Sequence, residues 1–164
     1  MNVGDVVVST GCVQHDYDMR PFVQKCEVVS CGKKIFGADQ ELMDICADSC
    51  EKFIVENRLS SETMKEFGIN NIRMHKGVIA SGDQFISDKC VKDEIVRTTP
   101  QVLAVEMEGA SIAQVCHQSG MQYCVVRIVS DAGDDHAAVD FNKFCDKIAG
   151  DACAQILENI VDRM

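Results

Sequence analysis

The stretch Val102-Leu-Ala-Val-Glu-Met-Glu-Gly-Ala110 constrains the fold more than any other part of the chain, because its period changes halfway along. Its first half reads as a strand entering a core, and from Ala110 to His117 the spacing becomes helical. Two carboxylates, Glu106 and Glu108, flank Met107 at the changeover. Two residues apart on a strand, they point to the same face. In an open α/β sheet, ligands bind beyond the carboxyl ends of the strands. Further on, Tyr123-Cys-Val-Val-Arg-Ile-Val129 reads as a second apolar strand, and it also runs into a polar pair, Ser130-Asp131. Two such strand ends make one site if the strands are neighbours in the sheet.

The 164 residues fit one domain, over 1–164, with enough chain to bury a core. A net charge of -10 and the lack of a basic face argue against nucleic acid as a partner. No apolar run approaches the roughly 20 residues of a membrane span. The opening Met-Asn-Val-Gly-Asp-Val-Val-Val has no signal-peptide pattern, so a cytoplasmic location is expected. Ten cysteines include no C-x-x-C pair, the usual sign of a zinc site. Cys46, Cys116, Cys124 and Cys145 fall in regular patterns where a small apolar residue would serve, so reduced, core-filling thiols are expected, with no metal and no cofactor.

Along the chain, Val3-Gly-Asp-Val-Val-Val-Ser9 reads as a strand entered by a Gly4-Asp5 turn. Gly11 to Phe22 reads as irregular loop, and its His15, Asp16 and Asp18 read as a solvated cluster rather than a metal site. Another strand is expected between Cys26 and Phe36. A helix capped by Asp39 carries Leu42, Ile45, Cys46, Cys50, Phe53 and Ile54 on one face and fades near Asn57. A short helix or loop follows, stopping at Gly68. His75 to Ser81 reads as a strand, Asp88 starts a helix through Arg97, and the Ala110 helix ends at Gly120. After the polar loop Ala132-Gly-Asp-Asp-His-Ala-Ala-Val139, a last helix starts at Asp140. It turns Phe141, Phe144, Cys145, Ile148, Ala152, Ile156, Ile160 and Val161 to the core. Alternating strands and helices predict an α/β sheet packed with helices.

Any one of Glu106, Glu108 and Asp131 is adequately explained as a solvated carboxylate. Together, beside an apolar Phe85-Ile86 wall, they point to a ligand site whose ligand the pattern does not name. Three motifs go further. Ser81-Gly-Asp-Gln-Phe-Ile86, Ala104-Val-Glu-Met-Glu-Gly-Ala110 and Val126-Arg-Ile-Val-Ser-Asp131 resemble, in order and spacing, motifs of the nucleoside phosphorylase and nucleosidase superfamily. The match is to its 5'-methylthioadenosine/S-adenosylhomocysteine nucleosidase branch. The opening strand and the His15-Asp16 loop are similar to that family's middle region, so the resemblance spans nearly the whole chain.

The resemblance implies a phosphorylase/hydrolase-like mixed sheet flanked by helices. It also implies hydrolysis of the N-glycosidic bond between adenine and a 5'-thio-substituted ribose. Asp131 matches the acid that protonates the leaving base at N7, a role that needs a pKa raised by burial, and Ser130 holds its carboxyl. Glu108 matches the residue on the ribose hydroxyls, where its charge opposes developing oxocarbenium character. Met107 is implied against the sugar, Phe85 on the base and the Ile86 backbone at the base edge, with Glu106 and Arg127 in support. Met19 and Phe22 match the segment that completes the partner subunit's 5'-thioalkyl slot, which implies a homodimer. Family members also carry an N-terminal portion with the first strands, a Gly-rich turn and a water-activating glutamate, and nothing before Val3 matches it. Without those neighbours the first strand is expected to expose an edge. The alternatives are a purine nucleoside phosphorylase, or a nucleoside-binding or storage paralogue that does not cleave.

Overall fold

The computed structural model describes residues 1–56, 59–134 and 137–164, with the backbone alone at 138–140. Asn57, where the first helix was expected to fade, and Asp135-His136 of the polar loop lie outside the described residues.

The first strand, β1 (Val6–Gln14), organises the sheet. Successive valines point to opposite faces, as the two-residue period of a strand requires. Val6 and Val8 pack on one side of the sheet and Val7 on the other, all three fully buried. β1 pairs in parallel with β3 (Met74–Ser81), which pairs in parallel with β4 (Val102–Glu106). Its other edge is shared by two short antiparallel partners. β2 (Ile35–Gly37) lies along residues 11–13 of β1, and β5 (Val126–Ile128) along residues 6–8. The result is the expected mixed sheet, in the order β2-β1-β3-β4 with β5 beside β1.

Helices cover both faces. α1 (Gln40–Glu56) and α6 (Gly150–Val161) lie over one, where Cys46, Cys50, Phe53, Phe144, Ile148 and Ile156 meet Val6 and Val8. α4 (Gly109–Ser119) covers the other, its Ala110 and Ala113 packed with Val7, Cys12 and Ile79. The short α2 (Ser61–Glu66) follows α1, and α3 (Lys89–Thr98) brings Ile95 onto Val78, Ala80 and Val102. α5 (Ala137–Phe144) runs through a π-helical turn, Cys145–Ala149, into α6. Two of the expected caps are in place: Asp39 accepts the Leu42 N–H at 3.0 Å and Asp88 the Cys90 N–H at 2.6 Å.

Several expectations need correction. β1 does not stop at Ser9; it continues to Gln14 through a register shift between Ser9 and Gly11. Gly11 reads as a loop residue, but it is glycine because a Cβ there would stand 2.5 Å from Phe36 O of β2. The edge expected to be open on β1 is occupied by β2 and β5. Between Cys26 and Phe36 the only ladder is the start of β2, with an isolated Val28–Lys33 bridge before it. The 123–129 strand is regular only from Val126 to Ile128, and β4 and β5 are not neighbours, since β3 and β1 lie between them. The last helical run starts at Ala137, so Asp140 is inside it rather than its cap. Phe141, Cys145 and Val161 of that run are exposed. His15 is 8% exposed, a buried residue rather than a solvated one.

Candidate active site

Glu106 closes β4, and its carboxylate gathers donors from three elements. The Ser81 hydroxyl at the end of β3 donates to it, and so do the Gly109 N–H at 2.9 Å and the Glu108 N–H at 3.2 Å. Both N–H groups belong to the start of α4, where a carboxylate also meets the positive end of the helix dipole. Ser81 Oγ in turn accepts the Ala110 N–H at 2.7 Å, which fixes the strand end against the helix. Arg127 of β5 completes the set, binding Glu106 and reaching Glu108 Oε2 at 3.4 Å. Burial by itself would raise the Glu106 carboxyl, but the bonds from Ser81, Arg127 and Gly109 outweigh it and hold it below the ordinary carboxylate value.

Glu106 and Glu108 therefore differ sharply. The Glu106 side chain is 11% exposed and saturated with donors, whereas Glu108 is 67% exposed and, among the described residues, held only by the outer reach of Arg127. Met107 between them is 43% exposed. An open carboxylate beside an exposed thioether offers a surface for a polyhydroxylated ligand. A saturated one has no lone pair to spare.

Asp131 follows β5. Ser130 Oγ donates to its Oδ2 at 2.7 Å and the Gly133 N–H to its Oδ1 at 2.9 Å, so both carboxyl oxygens are fixed. Because β5 runs antiparallel to β1, strand pairing does not bring Asp131 beside Glu106. The link comes from the loop. Lys92 of α3 donates to Ala132 O at 2.9 Å, and Ile86 O lies 3.5 Å from the Cβ position of Gly133. The segment after β3 thus joins the two carboxylate clusters, through Ser81 on one side and through Ile86 and Lys92 on the other. Phe85 in that segment is exposed, and its ring meets Phe141 of α5 edge-on, centroids 5.8 Å apart. Met19 and Phe22 are exposed on the loop after β1.

Sequence reasoning missed three of these contributors. Ser81 lies inside a recognised motif, but its bridging role depends on the β3–β4 register. Helical spacing turns Phe141 to the core, whereas the residue is 40% exposed. Lys92 acts on a main-chain carbonyl, which leaves no signal in the sequence. Among the described residues no group of His, Cys, Asp and Glu side chains is placed to hold a metal ion. A concavity of about 340 Å³ lined by Val3, Glu66, Phe67, Gly68, Ser130 and Lys143 shares only Ser130 with the cluster.

An α/β sheet with carboxylates on the segments leaving β4 and β5 and an aromatic turn between them describes a small-molecule site of a recurrent kind. The model of the phosphorylase superfamily matches residues 1–162, and the chain belongs to that superfamily. Within it, the chain is similar to 5'-methylthioadenosine/S-adenosylhomocysteine nucleosidases. The nucleosidase of that name from Oceanobacillus iheyensis is 35% identical over 164 residues, covering 100% of this chain and 64% of the relative. The crystal structure of the Neisseria meningitidis nucleosidase in complex with methylthio-immucillin-A superposes with a TM-score of 0.82 at 30% identity, covering 100% of this chain and 64% of that one. Futalosine hydrolase of Helicobacter pylori gives 0.78 at 28% identity, with 99% and 63% covered. The chain spans 55% to 64% of the length of the curated relatives it matches.

Proposed function

We propose that the protein hydrolyses the N-glycosidic bond of 5'-methylthioadenosine and S-adenosylhomocysteine, releasing adenine. The observation that carries this reading is the division of labour between Glu106, which is saturated, and Glu108, which is open beside Met107. In this reading Glu108 accepts the ribose hydroxyls, and its charge opposes the positive charge that develops as the bond to the base breaks. Met107 packs on the sugar. Glu106 and Arg127 hold Glu108 in place rather than touching substrate. Phe85 stacks on adenine, the Ile86 backbone reads its edge, and Asp131, steadied by Ser130, gives a proton to the leaving base at N7. The reaction needs no cofactor. Met19 and Phe22, exposed on their loop, suit the 5'-thioalkyl slot of a second copy in a homodimer.

A second reading is a nucleoside-binding protein that does not turn over. One assay separates the readings: the 164-residue chain is incubated with 5'-methylthioadenosine, with and without phosphate, and free adenine is measured. Phosphate-independent release, abolished by Asp131→Asn, supports the hydrolase. Release that requires phosphate makes it a phosphorylase. Adenine binding without release leaves the binding protein.

A further inference from the structure

The His15-Asp16 pair has no part in the assignment above, yet it grips the turn on which that assignment depends. Just past β1, the His15 N–H donates to Ser81 O at 3.0 Å. The Asp16 carboxylate then accepts the Asp83 N–H at 2.7 Å, two residues before Phe85. Between these contacts sits Gly82, whose own N–H donates to Glu106 O at 3.2 Å. A Cβ on Gly82 would stand 2.3 Å from His15 Nε2 and 2.8 Å from Asp16 Oδ2, so the turn lies directly on the pair and only glycine fits. His15 Nε2 is buried with no hydrogen-bond partner among the described residues, so the imidazole serves here as packing. The ends of β1, β3 and β4 are thus fastened at one point, and Phe85-Ile86 springs from it.

We propose that Asp16, seated by His15, is a positioning residue for base recognition. It fixes the height and tilt of the turn from which Phe85 stacks on a purine and Ile86 reads its edge, and it touches no ligand itself. A hydrogen bond from a main-chain N–H to an ionised carboxylate is stronger than one between neutral groups, which suits a tether on an otherwise exposed turn. The role rests on the reading of Phe85 and Ile86 as the base site.

Two probes divide base from sugar: adenine and 5'-methylthioribose, each titrated calorimetrically into the 164-residue chain. Asp16→Ala weakens adenine binding on the order of tenfold, as a small misplacement of a binding group does, and leaves methylthioribose within about twofold. Asp16→Asn keeps an acceptor oxygen and restores adenine binding. In the ligand-free chain, hydrogen exchange at the Asp83 amide speeds up about tenfold in Asp16→Ala and not in Asp16→Asn. Unchanged adenine affinity in Asp16→Ala overturns the proposal, and so does an equal loss for both probes, which marks a general loosening of the fold. A wild-type chain that binds methylthioribose but not adenine removes the base site, and this role with it. A wild-type chain that binds neither overturns the nucleosidase reading as a whole.

Discussion

Glu106 shows why residue type alone does not give role. In sequence it is the twin of Glu108, two positions away on the same strand end. In the structure it takes bonds from Ser81, Glu108 N–H, Gly109 N–H and Arg127, while Glu108 faces outward. Its carboxyl titrates below the ordinary 4.5 because those donors outweigh burial. A carboxylate with a depressed folded-state pKa adds stability that is present above the unfolded value and lost as pH falls through the folded value. Glu106→Gln is therefore expected to cost about 1–3 kcal/mol near neutral pH, chiefly by leaving Arg127 and the α4 N–H groups short of an acceptor. Urea midpoints of the two proteins should converge as the pH is taken below 4.5. A gap that stays constant down to acid pH would refute the account. The resemblance gives the two glutamates different roles, and the structure gives them different surroundings, but the donors that make that difference are not legible in the sequence, because each lies on another element.

Elements with strong local signals were legible, and those defined by pairing were not. α1 and α3 were found with their caps because an aspartate before an apolar stripe encodes a helix start within a few residues. β1 runs past Ser9 although Gly11 and Gln14 lack strand character by themselves. They are strand because β2 pairs with Gly11, and β3 with Gly11 and Gln14, across long sequence separations. The ends of β4 and β5 make one site only if the strands are neighbours, which they are not, and it is the segment after β3 that bridges the gap between them. α5 carries the least expected contribution. Its Phe141 turns away from the core and sets its ring edge-on to Phe85, interplanar angle 68°. Such a pair is worth about 0.5–1.5 kcal/mol beyond area burial, and here it holds the proposed stacking ring in one orientation. Phe141→Ala is thus expected to weaken adenine binding about three- to tenfold while the melting temperature moves little. Unaltered binding by calorimetry would show that the contact does not orient Phe85.

At the scale of the whole molecule, the apolar surface left uncovered is as informative as the core. Phe22 is 84% exposed and Met19 44%, on a loop held by the Asp18–Arg20 ion pair rather than by packing. On α4, Ile112 and Val115 are also exposed, at 53% and 59%. Fully burying a phenylalanine side chain is worth about 1.5–3 kcal/mol, so leaving one in water is a standing cost that association removes. Exposed apolar residues gathered into patches mark interaction sites, whereas scattered ones do not. The proposed homodimer accounts for the Met19-Phe22 loop by inserting it beside the partner's ligand site, where its apolar side chains wall the thioalkyl group. Sedimentation velocity should then find a dimer of the 18.0 kDa chain that Phe22→Asp shifts to monomer. The same substitution should weaken binding of methylthioadenosine more than binding of adenine, because only the former carries the group the loop would cover. A wild-type chain that sediments as a monomer at every concentration, or a Phe22→Asp chain that keeps both the dimer and its preference, would leave this loop without the role.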